Sequence, residues 1–139
     1  MMAVSTHKKP VSSSGASAFQ KLAVWEGGYN VCLDVCREAD RFDQANVITR
    51  QLKEAATATI LHLSKTASFR LGRQYVRSLK DAYVTTKHMT TLLLLCHDLG
   101  YTNTDRFLEL NSKLNEFAGK LYKYTRYCQK KLKRKMQSK

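Results

Sequence analysis

An all-α chain folded as an up-down-up-down four-helix bundle is what this sequence predicts, and three observations carry that expectation. One proline, Pro10, and six glycines stand among 139 residues, too few turn-formers for a β-sandwich. Four stretches repeat apolar residues at steps of three and four, the period of a helix that buries one face. Short polar breaks separate these stretches, and short links make neighbouring helices antiparallel. The length suits one domain with a proper core and is too short for two.

Residues 1–17, "MMAVSTHKKPVSSSGAS", lack the apolar core of a signal peptide and read as a flexible leader before a bundle over 18–130. The first helix opens near Ala18, with Leu22, Trp25, Tyr29, Cys32 and Cys36 expected on its buried face. Gly27 and Gly28 lie inside it and should each cost roughly 1 kcal/mol against alanine, unless packing compensates or another backbone passes close by. "EADRFDQAN" reads as the first connection. A second helix is expected over 45–65, burying Ile48, Leu52, Ala55, Thr59 and Leu63. "TASFRLG" is the next connection.

The third helix carries Tyr75, Leu79, Ala82, Thr86, Met89, Leu93 and Cys96 in a 4-3-4-3 pattern and stops at Gly100, which suits the left-handed position after a helix. In "TNTD", Thr102 or Thr104 is the expected cap of the fourth helix, and Asp105 suits its positive end. Phe107, Leu110, Leu114, Phe117, Leu121, Tyr124 and Cys128 then keep register along the fourth helix. Residues 131–139 are expected to fray into a basic tail.

Charge is distributed unevenly. The formal net charge is +13, yet residues 19–43 hold three cations against five carboxylates. The closing stretch "KLYKYTRYCQKKLKRKMQSK" holds nine cations, three tyrosines and no acid. Such asymmetry points to a polyanionic partner, RNA or DNA, or an anionic membrane surface. Arg73, Arg77, Lys80 and Lys87 trace a stripe on the third helix, which Arg70 extends. At 100° per residue Arg77 lies about 200° from Leu79, so the stripe faces away from the core. The fourth helix repeats the pattern with Lys113, Lys120, Lys123 and Lys130, and Arg126, Lys131, Lys133 and Arg134 complete the candidate nucleic-acid contacts. Tyr124 continues the buried seam. Tyr122 and Tyr127 lie off it, placed either to stack on bases or to pack on a neighbouring subunit.

Enzymatic motifs are missing. There is no Gly-rich phosphate loop, HExxH pair, Glu-x-x-His or nucleophile elbow, so no catalytic residue and no cofactor is expected. Cys32 and Cys36 share a helix face, while His62, His88 and His97 lie on other helices; packing is the reading for the cysteines, and no metal site is expected. Four cysteines without a secretory signal read as free thiols in a reducing, cytoplasmic compartment. No run of eighteen apolar residues exists to span a membrane. Four consecutive leucines, Leu92 to Leu95, point all round the third helix. A lone bundle needs only one such stripe, so Leu92, Leu94 and Leu95 are expected at an oligomer interface.

"KLAVWEGGYNVCLDVC", "QLKEAATATI" and "SLKDAYVTTKHMTTLLLLCHDLGYTNTDRFLELNSKLNEFAGKLYKYT" together resemble the four-helix-bundle proteins related to those encoded in large-subunit rRNA intervening sequences. The resemblance spans about residues 19–127. The last run is most similar to one branch, the accessory variability proteins of diversity-generating retroelements. The other branch carries a Ser-Ile-Pro-x-Asn-Ile-Ala-Glu-Gly segment where this chain has "TATILHLSKTA". Accessory variability proteins often carry a tryptophan where "GKLYKYT" offers tyrosine. The resemblance implies a homopentameric barrel that binds nucleic acid and the element's reverse transcriptase, holding template RNA or its cDNA hybrid during mutagenic retrohoming. A ribosome- or rRNA-associated bundle is the alternative within the family, and a basic helical protein on an anionic membrane surface is the alternative outside it.

Overall fold

The structure is a computed structural model, and it describes residues 15–137, the side chains from Gln20 onward. Four helices follow one another: α1 (Gly15–Ala39), α2 (Val47–Ser68), α3 (Arg73–Asp98) and α4 (Thr104–Gln137), with no strand among the described residues. Each helix packs on two others, α1 on α2 and α4, α3 on α2 and α4, which closes a four-membered ring around one core. Contacts across the seams fix the directions. Lys21 at the start of α1 reaches the Thr66 carbonyl near the end of α2, and Asp40 just past α1 pairs with Lys53 near the start of α2. Tyr75 meets Tyr124, and His97 meets Thr104, so α3 and α4 are antiparallel as well. The up-down-up-down bundle is thereby present in the single chain.

Most of the expected core is in place. All seven residues foreseen on α3 are buried, as are Leu110, Leu114, Phe117, Leu121, Tyr124 and Cys128 on α4. On α2 the buried set is Leu52, Ala55, Thr59 and Leu63 with Thr49, Ala56 and Thr66, while Ile48 is half-buried. The four cysteines are free.

The phase of α1 differs from expectation. Val24, Gly28, Val31, Val35 and Ala39 face the core together with the expected Cys32, whereas Leu22, Trp25, Tyr29 and Cys36 are only half-buried. Trp25 and Tyr29 stack on each other with ring centroids 5.4 Å apart. Gly28 sets this phase. A Cβ there would overlap Leu63 Cδ1 and lie 2.9 Å from Phe117 Cζ, so the side chains of α2 and α4 fill the space against the α1 backbone. The close approach comes from side chains rather than from another backbone.

The ends of the helices are set by local chemistry. Asn46 caps α2, its side chain accepting from Ile48 N at 2.7 Å. Gly100 adopts φ 83°, and its N–H bonds the His97 carbonyl while that of Tyr101 bonds the Cys96 carbonyl, closing α3 with the paired bonds of a Schellman motif. The cap of α4 is Asn103, not Thr102 or Thr104: its Oδ1 accepts from Arg106 N at 2.8 Å. Thr102 is drawn inward, donating to Glu38 Oε2 at 2.7 Å. At the other end α4 stays helical as far as Gln137, so most of the stretch expected as a basic tail is helix, and Leu132 packs against the core. At the N-terminus α1 begins at Gly15, three residues inside the expected leader; the rest of that leader, like Ser138 and Lys139, lies outside the described residues.

Candidate nucleic-acid interface

Antiparallel packing sorts the charges by end. The half of the bundle built from the start of α1, the end of α2, the start of α3 and the end of α4 holds thirteen of the described cations and two carboxylates, Glu26 and Asp81. The opposite half holds eight cations and nine carboxylates. The bundle is therefore electrically polar along its axis, strongly basic at one end and nearly neutral at the other.

The cations at the end of α4 sit at the negative end of a helix dipole, which favours them. Arg73 does not have that support. It opens α3, a helix with no acid in its first turn and no side-chain cap on Gly72, so the dipole opposes its charge by a few tenths of a kcal/mol. Helix stability does not explain its placement.

Where the start of α3 meets the end of α4, an open groove of about 830 Å³ runs between them. Arg73, Arg77, Lys80 and Lys133 line it together with one carboxylate, Asp81, and the apolar Val76, Leu132 and Met136. These four cations form no ion pair among the described residues. The stripe read on the third helix therefore lines this groove with Arg73, Arg77 and Lys80 and meets Lys133 of α4 there. None of Lys113, Lys120, Lys123 and Lys130, the stripe read on the fourth helix, lines it.

The other candidates are distributed differently. Lys113 and Lys120 line the smaller α1/α4 groove, where carboxylates already engage them: Lys113 binds Asp34 at 2.9 Å and Glu109 at 3.5 Å, and Lys120 binds Glu116 at 3.5 Å. The Lys113 ammonium is held above its ordinary pKa, first by its hydrogen bond to Asp34. Arg70, Lys123, Lys130 and Arg134 are exposed. Lys87, Arg126 and Lys131 each lie over a tyrosine ring, Tyr83, Tyr122 and Tyr127 respectively, at 5.8–6.0 Å from the centroid.

The three tyrosines of the closing stretch have separate fates. Tyr124 is buried, and its hydroxyl shares a 2.6 Å hydrogen bond with that of Tyr75. Tyr127 is half-buried and stacks on Tyr124. Tyr122 is 49% exposed on the α3/α4 side, beside Tyr83. Tyr83, its neighbour across the α3/α4 seam, is not among the residues singled out from the sequence.

Among the four leucines, Leu93 is fully buried and Leu92 packs against its own core beside α2. Leu94 and Leu95 point outward, at 47% and 40% exposure.

No family model matches the chain, and no curated protein matches it either. No three of the described His, Cys, Asp and Glu side chains converge as a metal site, and no described helix is long and apolar enough to cross a membrane. Burial pushes the Cys32 thiol up to about 12, with Cys36 adding to the effect, which keeps that sulfur protonated and unreactive.

Proposed function

We propose that this protein is a non-catalytic nucleic-acid-binding factor that holds RNA or DNA by its phosphates at the basic end of the bundle. The observation that carries the reading is the α3/α4 groove, where Arg73, Arg77, Lys80 and Lys133 converge without carboxylate partners. Four cations against the single carboxylate Asp81, none of them in an ion pair among the described residues, gain little for the fold and much for a polyanion, because each phosphate neutralised releases counterions. Contacts of this kind position a strand without reading its sequence.

The sequence resemblance supports a role for that activity in a diversity-generating retroelement. There the protein serves as accessory to the reverse transcriptase, keeping template RNA or its cDNA hybrid near the polymerase during mutagenic retrohoming. It works as a homo-oligomer, a pentameric ring, and the outward Leu94 and Leu95 supply apolar surface for subunit contacts.

Titrating labelled strands at several salt concentrations tests the binding mode. With about six phosphates neutralised, log K against log salt should slope near −4 on single strands and near −5 on duplex. A flat salt response, or strong preference for one sequence over scrambled controls, contradicts it. The genomic setting tests the role: a neighbouring reverse transcriptase with paired template and variable repeats supports it, and an rRNA operon favours the ribosome-associated reading.

A further inference from the structure

Beyond the basic groove, the same α3/α4 seam carries a second, smaller pocket of about 190 Å³. Tyr83 and Tyr122 form its aromatic wall, Val84 and Thr125 lie beside them, and Lys80 and Arg126 stand at its rim. The two rings are tilted by 51° with centroids 5.9 Å apart, so they do not cover each other face to face. Lys80 and Gln129 line both this pocket and the basic groove, which makes the two direct neighbours.

We infer that the Tyr83–Tyr122 pocket receives an unstacked nucleobase, so that the ligand of the groove is a single strand rather than a duplex. The inference rests on the reading that the groove binds phosphates. A duplex buries its base faces in its own stack and presents only edges and backbone. A strand whose phosphates lie on Arg77 and Lys80 brings an adjacent base to the mouth of the pocket. There, a ring face of Tyr122 offers stacking, which every base accepts whatever its identity. The pocket is several times the about 30 Å³ that one water occupies in the liquid, and its walls are largely apolar apart from the cationic rim. Lys87 lies over the Tyr83 ring and Arg126 over the Tyr122 ring, which adds positive charge beside the base.

Fluorescence anisotropy of the full chain against three labelled probes separates this inference from the reading beneath it. The probes are an oligothymidylate, an abasic strand of equal length and phosphate number, and a duplex. The wild type should bind the base-bearing strand about tenfold more tightly than the abasic one. Tyr122→Leu should reduce oligothymidylate affinity to the abasic level without changing the salt slope, and Tyr122→Phe should retain the wild-type preference. Equal wild-type affinity for the base-bearing and abasic strands, with a steep salt slope for both, overturns the stacking pocket and leaves phosphate binding standing. Failure to bind any probe overturns both. If Tyr122→Leu shifts the mass measured by light scattering, Tyr122 is a subunit contact and the inference is wrong.

Discussion

Gly27 and Gly28 are adjacent in sequence and opposite in consequence. A methyl at Gly27 meets only Phe117 Cδ1 at an ordinary 3.5 Å, so Gly27→Ala should gain up to about 1 kcal/mol from helix propensity. At Gly28 the same methyl collides with Leu63 and the Phe117 ring, and overpacking of about 1–3 kcal/mol outweighs that gain. Thermal melts of the two variants should move in opposite directions. Glu38 offers a second test at this scale. Its side chain is 3% exposed and bound by Thr102 and Arg106, with Arg41 close by. Burial alone would raise its pKa, but the hydrogen bonds from Thr102 and Arg106 and the charges of Arg41 and Arg106 win, and the carboxyl ends below the usual glutamate value. The unfolded chain therefore takes up this proton first, near pH 4.3. The stability Glu38 contributes is present above that pH and lost as pH falls toward the folded pKa. Glu38→Gln should cost roughly 2 kcal/mol at neutral pH and flatten the acid limb of the stability–pH profile; an unchanged acid limb contradicts the assignment.

Helix by helix, legibility tracked how narrow the apolar stripe was. On α3 and α4 one stripe carries nearly all the large apolar residues of the core, so periodicity located it. On α1 apolar residues cover a wide arc, and the bulky Trp25 and Tyr29 drew the expected face away from Val24, Val31 and Val35. Only the three-dimensional fit of Leu63 and Phe117 over Gly28 selects the true face. The extent of α4 was misread because a run of like charge resembles a solvated tail. The signal against that was present: Cys128, Leu132 and Met136 recur every four residues. Grouping of the binding residues was partly legible, since outward stripes and the i,i+4 pairs Glu109–Lys113 and Glu116–Lys120 follow from spacing, but the Lys113–Asp34 pair depends on α1 packing beside α4. For the leucines, Leu94→Glu and Leu95→Glu should leave the helical fold intact and break up the proposed oligomer, read by circular dichroism and light scattering. Retention of the full assembly by both variants places the subunit contact elsewhere.

Across the whole molecule, the separation of charge is the property that the proposed function draws on. One end of the bundle concentrates cations in a groove; the other ties its charges into internal pairs such as Glu38–Arg106 and Lys113–Asp34. A polyanion approaching this molecule is steered to the basic end, and high salt should slow association as well as weaken binding. The central claim is that the unpartnered cations of the α3/α4 groove, and not basic charge in general, hold the nucleic acid. Its most direct test compares two charge-matched variants on the same single strand across a salt series: Arg73→Gln with Arg77→Gln, and Lys113→Gln with Lys120→Gln. Each removes two positive charges. The first should flatten the slope of log K against log salt by about 1.4, two phosphate contacts' worth on a single strand, while the second leaves it near the wild-type value. Equal loss from both variants would show that net charge alone governs binding, and that the groove has no special part in it.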